Sequence, residues 1–102
     1  MDKPVIGFIG FGEASYSISS GLVDEGVTGI KAYDVMTYDP KLGVNISKRA
    51  KELQVDLRDN LQSLIEGSDI IFCATSAKYA VPIAKEITPF LRENQIYVDI
   101  NA

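Results

Sequence analysis

The feature that most constrains the fold is the segment Ile6-Gly7-Phe8-Ile9-Gly10-Phe11-Gly12 and the residues after it. The apolar run at residues 5–9 predicts a central parallel strand, because a strand that is buried on both faces is apolar throughout. Gly10 and Gly12 predict a tight turn from this strand into a helix, which we expect over residues 12–25. A strand that turns directly into a helix is typical of the start of a βαβ unit.

The rest of the chain alternates strands with helices in the same way. We expect an amphipathic helix at residues 46–53, preceded by a loop at 34–44, and further strands at residues 29–33, 54–57, 70–74 and 96–100. This alternation predicts the α/β class. More specifically, we expect a Rossmann-type doubly wound parallel sheet of about five strands in the order 3-2-1-4-5.

Two further helices carry recognisable start signals. Asp59 is the expected N-cap of the first, because Gln62 stands three residues later as a near match to a capping box, and Gly67 ends it. Ser76 is the expected N-cap of the second, which runs to about residue 87 with Pro82 near its first turn.

Composition and charge exclude several classes of function. The 102 residues carry a net charge of −4 without a basic run, which argues against a nucleic-acid partner. No apolar run approaches the ~18–20 residues that cross a bilayer, and residues 1–4 do not resemble a signal peptide. We therefore expect a cytoplasmic protein with no membrane partner. Histidine is absent and Cys73 is the only cysteine, so we expect no metal site, and Cys73 is interpreted as a buried apolar side chain.

The glycine turn has the properties of a pyrophosphate site. Gly10 permits the tight turn, Gly12 allows a phosphate to approach where a Cβ would block it, and Ser15 takes the place of a usual glycine or alanine. Backbone N–H groups at the helix start bind an anion without any basic side chain. The residues expected to bind cofactor here are Gly10, Phe11, Gly12, Glu13, Ala14 and Ser15. The alternative is a tight turn that binds no ligand.

Asp34 supplies the second half of the pattern. It ends the second strand 22 residues after Gly12, close to the spacing of about 20 residues at which an acid binds the adenosine ribose. A carboxylate there repels the 2′-phosphate of NADP, and the next two residues offer no cation to hold that phosphate. The sequence therefore favours NAD, with NADP as the alternative because Lys31 or Lys41 could approach the site. A solvated strand end is the alternative role of Asp34.

Four segments together resemble the β-hydroxyacid dehydrogenases, a family that includes 3-hydroxyisobutyrate and 6-phosphogluconate dehydrogenases. They are Ile6-Gly7-Phe8-Ile9-Gly10-Phe11-Gly12, Ala32-Tyr33-Asp34, Ile70-Ile71-Phe72-Cys73-Ala74-Thr75-Ser76 and Val98-Asp99-Ile100-Asn101-Ala102. The resemblance implies that Thr75 and Ser76 line the nicotinamide side of the cofactor, with helix capping as their alternative role. It also implies that Asn101 and Ala102 stand where the family has a Ser/Thr segment that contacts the substrate. Tyr16 and Tyr79, each near a helix start, are considered both for ligand contact and for packing or a surface position.

The resemblance implies hydride transfer between a 3-hydroxy acid and a nicotinamide cofactor. It places the catalytic lysine in a separate helical domain, so no catalytic residue is assigned in this chain. We expect residues 1–102 to form one dinucleotide-binding domain, truncated before that helical domain, which binds cofactor without turnover. A stand-alone NAD-sensing module is the alternative, and a domain that has lost cofactor binding is a second, supported only by Ser15. The edge of the fifth strand predicts a homo-oligomer.

Overall fold

Five short strands form one parallel sheet in the computed structural model, which describes residues 3–100 apart from the side chain of Ala77. The strands are β1 Ile6–Ile9, β2 Lys31–Tyr33, β3 Asp56–Leu57, β4 Ile70–Cys73 and β5 Ile96–Asp99. Their order is β3-β2-β1-β4-β5, and each neighbouring pair is parallel. The predicted fold class and strand order are therefore confirmed. Strand order reverses at β1, so the switch point, where open α/β sheets bind ligands, lies between the carboxyl ends of β1 and β4.

Helices cover both faces of the sheet, as a doubly wound fold requires. They are α1 Glu13–Asp24, α2 Leu42–Leu53, α3 Leu61–Glu66 and α4 Ala77–Ile87, and a 3-10 turn at Thr88–Phe90 follows α4. One core cluster joins Phe8 of β1 to side chains of α1 and α2, and the other joins Ile9 to side chains of α3 and α4. Within residues 3–100, no helix has the length and apolar character needed to cross a membrane.

The glycine inside β1 has a packing role. A Cβ at Gly7 would overlap the side chain of Ser68 and lie 3.1 Å from Leu64 Cδ1. Its absence lets α3 and the chain after it approach the central strand closely. Ser68 is itself buried, and its hydroxyl donates a hydrogen bond to the carbonyl of Leu64 at 2.8 Å.

Two helix starts differ from the prediction. The predicted loop at 34–44 is too long, because α2 already begins at Leu42, where the Asp39 carboxylate accepts the N–H groups of Lys41 and Leu42. Asp59 is not the N-cap of α3. That position belongs to Asn60, whose side chain accepts the Ser63 N–H at 2.7 Å. The difference at α3 arises because two good cap residues stand side by side, and the packing of the apolar face selects between them.

The start of α4 and the strand ends also differ in detail. Ser76 occupies the N-cap position of α4, as predicted, but its side chain makes no capping hydrogen bond. Pro82 lies inside α4 beyond its first turn, so the prediction that placed it near that turn is wrong. β2 and β3 begin later than predicted because left-handed backbone at Gly29 and Gln54 precedes them, with φ of 72° and 57°.

Candidate functional site

A cleft of about 640 Å³ opens at the switch point of the sheet. Among its lining residues are five that the sequence predicts to bind cofactor, namely Gly10, Gly12, Asp34, Thr75 and Ser76. They come from the ends of three different strands, which the parallel sheet gathers at its carboxyl edge. The structure therefore brings the predicted phosphate, ribose and nicotinamide positions into one cavity.

The two glycines of the turn have different environments. Gly10 has a φ of 89°, and a Cβ there would lie 2.6 Å from the carbonyl oxygen of Ala74. The fold itself therefore requires glycine at this position. Gly12 is the N-cap of α1 with a φ of −85°, and a Cβ there would meet no atom within 4 Å. The space above Gly12 is open, and it is part of the cleft that a pyrophosphate could fill.

The other residues of the turn shape the site through the backbone. Ser15 is fully buried, and its hydroxyl donates a hydrogen bond to the Gly10 carbonyl at 2.6 Å. Phe11 is also fully buried and packs against Phe8, with 6.3 Å between the ring centroids. Glu13 and Ala14 begin α1 with exposed side chains. Because no side chain caps this helix start, its first backbone N–H groups are available to an anion.

Asp34 joins the second strand to the glycine turn. Its Oδ2 accepts the backbone N–H of Phe11 at 2.8 Å, and its Oδ1 accepts that of Met36 at 2.9 Å. Each carboxylate oxygen can accept a further hydrogen bond, because an ionised carboxylate has about four acceptor sites. The carboxylate is thus held in a fixed orientation at the cleft, and it can still accept hydrogen bonds from ribose hydroxyls.

The two lysines that could have favoured NADP do not line the cleft. The Lys31 ammonium lies 3.4 Å from the Asp56 carboxylate, on the neighbouring strand β3. Lys41 has an exposed side chain just before α2, outside the lining of the cleft. Neither residue is therefore placed to hold a phosphate beside Asp34 in this structure.

Thr75 and Ser76 face the cleft at the end of β4. Thr75 is half-buried, and its Oγ1 lies 3.3 Å from the Ser76 carbonyl and 3.8 Å from Cys73 Sγ. Because the Ser76 side chain does not cap α4, capping does not occupy its hydroxyl. Asn101 and Ala102, the predicted substrate positions, lie outside the described residues.

The sequence reasoning missed one wall of the cleft. Pro82, Ile83 and Glu86 of α4 line it, together with Leu61 of α3. Of the two tyrosines near helix starts, Tyr79 lines the cleft, whereas Tyr16 does not and donates a hydrogen bond to Glu52. The sequence signal for this wall was the spacing of residues 79, 83 and 86. They stand four and three residues apart, so they share one helix face. That spacing also fits a helix packed on the core, which is why it did not single out a site.

A cysteine–tyrosine pair lies on the α4-covered face of the sheet. Cys73 is fully buried, as predicted. Burial raises the pKa of Tyr97 on β5, and a hydrogen bond between Tyr97 and Cys73 raises it further. Within residues 3–100, no group of acidic or cysteine side chains is arranged to hold a metal ion.

Comparison with known proteins gives a family match and several similar chains. Residues 5–102 match the family described as NADP oxidoreductase coenzyme F420-dependent. An uncharacterized 28.5 kDa protein from Methanothermus fervidus is 32% identical over 96 residues, which cover 94% of this chain and 35% of that protein. A conserved hypothetical protein from Sinorhizobium meliloti 1021 has a solved structure that is 31% identical, with a TM-score of 0.86 over 96% of this chain and 32% of its own.

A more distant structure shows the same fold. Mycobacterium tuberculosis 3-hydroxyisobutyrate dehydrogenase, solved with L-serine, has a TM-score of 0.77 at 15% identity, over 97% of this chain and 32% of its own. This chain spans about a third of the length of these similar proteins. The resemblance to NAD(P)-dependent oxidoreductases is confirmed, but the matches do not single out the β-hydroxyacid dehydrogenases. The chain belongs to the family described as NADP oxidoreductase, coenzyme F420-dependent.

Proposed function

We propose that this chain is the NAD-binding domain of an oxidoreductase that transfers a hydride between a 3-hydroxy acid and the nicotinamide ring. The observation that carries the proposal is the cleft in which the Asp34 carboxylate is hydrogen-bonded to the glycine turn beside the uncapped start of α1. The family match supports a nicotinamide cofactor. The ordered resemblance to the β-hydroxyacid dehydrogenases is the support for the substrate class.

The chain would hold each part of the dinucleotide with a different element. The pyrophosphate would lie over Gly12, where a Cβ is missing and the N–H groups of α1 point outward. The adenosine ribose would donate hydroxyl hydrogen bonds to Asp34, and Thr75 and Ser76 would line the nicotinamide side. The bound cofactor supplies the hydride chemistry, while these residues bind it and fix its orientation.

Asp34 is the reason to propose NAD although the family description names NADP. A 2′-phosphate beside this carboxylate would bring like charges together in a half-buried position. Neither Lys31 nor Lys41 lines the cleft to neutralise that phosphate. The charge at this position therefore favours the two free ribose hydroxyls of NAD.

The proposal keeps the sequence prediction about catalysis and drops one of its alternatives. No residue of the chain is assigned as a catalytic acid or base, so we propose that residues 1–102 bind cofactor and that turnover needs a helical domain beyond them. The alternative of a domain that has lost cofactor binding depended on Ser15. The Ser15 hydroxyl donates a hydrogen bond to the Gly10 carbonyl inside the turn, and Ser15 does not line the cleft. Ser15 therefore gives no reason to favour a domain that has lost cofactor binding.

Cofactor titration tests the proposal. We expect NADH to bind at least about tenfold more tightly than NADPH, a ratio worth about 1.4 kcal/mol. Asp34→Asn removes the charge but keeps one acceptor oxygen, so NADH should bind more weakly and the ratio should shrink. Asp24→Asn is the matched control, because Asp24 is exposed at the end of α1 away from the cleft. Tighter binding of NADPH by the unaltered chain would contradict the proposal.

A further inference from the structure

Two side chains behind Thr75 connect the cleft to the interior of the molecule. Cys73 ends β4 two residues before Thr75 and is fully buried. Its Sγ lies 3.8 Å from Thr75 Oγ1, and Tyr97 of the neighbouring strand β5 is hydrogen-bonded to the same thiol. Thr75 lines the cleft, whereas Cys73 and Tyr97 do not. The three groups therefore form a short chain of hydrogen bonds that begins in the apolar core and ends at the cleft.

The direction of each hydrogen bond follows from the hydrogens that are available. The Thr75 hydroxyl lies 3.3 Å from the Ser76 carbonyl, which can only accept, so the single hydroxyl hydrogen of Thr75 points to that carbonyl. Cys73 then donates its thiol hydrogen to Thr75 Oγ1. Because that hydrogen is used, the Cys73 sulfur accepts from the Tyr97 hydroxyl. All three hydrogens thus point from β5 toward the cleft.

Tyr97 is suited to be the first donor of this chain. Burial raises the pKa of its hydroxyl, and the hydrogen bond to Cys73 raises that pKa further. The hydroxyl therefore keeps its hydrogen at neutral pH and well above it. The ring of Tyr97 packs against the buried cluster that contains Ile71 and Cys73, which holds the donor in place.

The last hydrogen bond of the chain is a weak one. Its length of 3.3 Å exceeds the usual distance of about 2.7–2.8 Å between two oxygens, and the contact is exposed. Thr75 can therefore turn its hydrogen from the Ser76 carbonyl to an acceptor of a bound ligand at little cost. Because Cys73 donates to the Thr75 oxygen, the Thr75 hydrogen stays free for that acceptor.

We propose that Cys73 and Tyr97 are positioning residues, which fix the Thr75 hydroxyl as a hydrogen-bond donor to the nicotinamide half of the cofactor. The inference rests on the proposed function, which puts that half of NAD beside Thr75. The ribose and carboxamide oxygens of that half are acceptors, and Thr75 would bind one of them. Cys73 and Tyr97 do not line the cleft, so both act through Thr75.

The test compares NADH with ADP, which lacks the nicotinamide and the ribose attached to it. Thr75→Val keeps the shape of the side chain but removes the hydroxyl. NADH should then bind about five- to tenfold more weakly, as for the loss of one hydrogen bond, while the affinity for ADP stays the same.

The positioning residues should have smaller effects of the same kind. Cys73→Ala and Tyr97→Phe should each weaken NADH about two- to threefold and leave ADP unchanged, because Thr75 keeps its hydroxyl but loses part of its orientation. Tyr97→Phe also keeps the ring that packs in the core. Cys73→Ser should retain the affinity for NADH, since its hydroxyl both donates and accepts.

A double variant separates positioning from a structural role. Once Thr75→Val has removed the group through which Cys73 acts, adding Cys73→Ala should not weaken NADH further. A further loss in the double variant would overturn the proposal. Equal weakening of NADH and ADP by Cys73→Ala and by Tyr97→Phe would do the same, because it would mean that the whole cleft is distorted.

Ser68→Ala is the matched control, since Ser68 is a buried hydroxyl that does not line the cleft. The variant loses the hydrogen bond to the Leu64 carbonyl, so its thermal unfolding temperature should fall while the ratio of NADH to ADP affinity stays constant. If Thr75→Val binds NADH as well as the unaltered chain does, this inference is wrong and the nucleotide site at Asp34 stands. If neither NADH nor ADP binds the unaltered chain, the proposed function itself is wrong.

Discussion

Gly10 and Gly12 stand two residues apart, and they are glycine for different physical reasons. Gly10 adopts left-handed backbone, and its missing Cβ makes room for the Ala74 carbonyl at the end of β4. Gly12 has an ordinary φ, and nothing in the described chain crowds it. The first glycine therefore serves the fold, and we propose that the second lets a ligand approach the backbone closely.

The two alanine substitutions should separate these roles. Gly10→Ala should destabilise the fold by about 2 kcal/mol or more, since left-handed backbone alone costs a residue with a Cβ roughly 1–2 kcal/mol. Gly12→Ala should leave the thermal unfolding temperature nearly unchanged and weaken NADH binding by about tenfold or more. Thermal denaturation and NADH titration of both variants measure these effects. Unchanged NADH affinity in Gly12→Ala would contradict the proposed pyrophosphate position.

At the scale of elements, the helix start before α3 shows why caps are hard to predict. Asp59 and Asn60 are both good cap residues, and the sequence places them side by side. Burial of Leu61, Leu64 and Ile65 against the sheet fixes where the helix begins, which leaves Asn60 at the N-cap. Asp59 instead accepts a hydrogen bond from the Tyr38 hydroxyl at the surface.

Substitution of these two neighbours tests the assignment. Asn60→Ala should lower the free energy of unfolding by about 1 kcal/mol, the usual effect of a lost cap. Asp59→Ala should have a smaller effect, because it removes an exposed contact between side chains. Urea denaturation of both variants measures the difference. A larger loss from Asp59→Ala would mean that the predicted cap, and not Asn60, stabilises α3.

The start of α2 should make stability depend on pH. Hydrogen bonds from the Leu42 and Lys41 N–H groups lower the pKa of Asp39. A carboxyl whose pKa is lower in the folded chain stabilises the fold above its unfolded pKa, and this contribution is lost as pH falls through the folded pKa. The free energy of unfolding should therefore fall below about pH 4. Asp39→Asn should reduce that fall and Asp24→Asn should not, as denaturation at several pH values would show.

The elements also show how far the sequence determines the site. The strongly apolar β1 and β4, the glycine turn and Asp34 were predictable, because each has a local signal and parallel strands bring their carboxyl ends together. The wall of the cleft formed by Leu61, Ile83 and Glu86 was not predictable, since it depends on how α3 and α4 pack beside each other. Local signals do not specify that packing, and the same residues would suit an ordinary core-facing helix.

At the scale of the whole molecule, β5 forms one edge of the described sheet. Its outer backbone groups have no neighbouring strand there, and the Ile96 side chain is 56% exposed. An apolar edge of this kind pairs readily with another strand. The 102-residue chain by itself therefore has a surface suited to self-association.

Sedimentation velocity tests this prediction. The 102-residue chain should form dimers as its concentration rises, and Ile96→Lys should shift it toward monomer because a charge at an edge opposes pairing. Val81→Lys is the control, since Val81 is 63% exposed on α4, away from the edge strand. A clean monomer at high concentration would show that the edge does not pair.

The central claim is that the cleft at the switch point binds NAD, and NMR titration tests it most directly. Addition of NADH to the isotope-labelled chain should shift the backbone amides of Gly12, Ala14, Asp34, Thr75 and Ser76. The amides around the shallow surface pocket beside Arg58 and Glu66, outside the cleft, should not move. Shifts confined to that pocket, or no shifts at millimolar NADH, would contradict the claim.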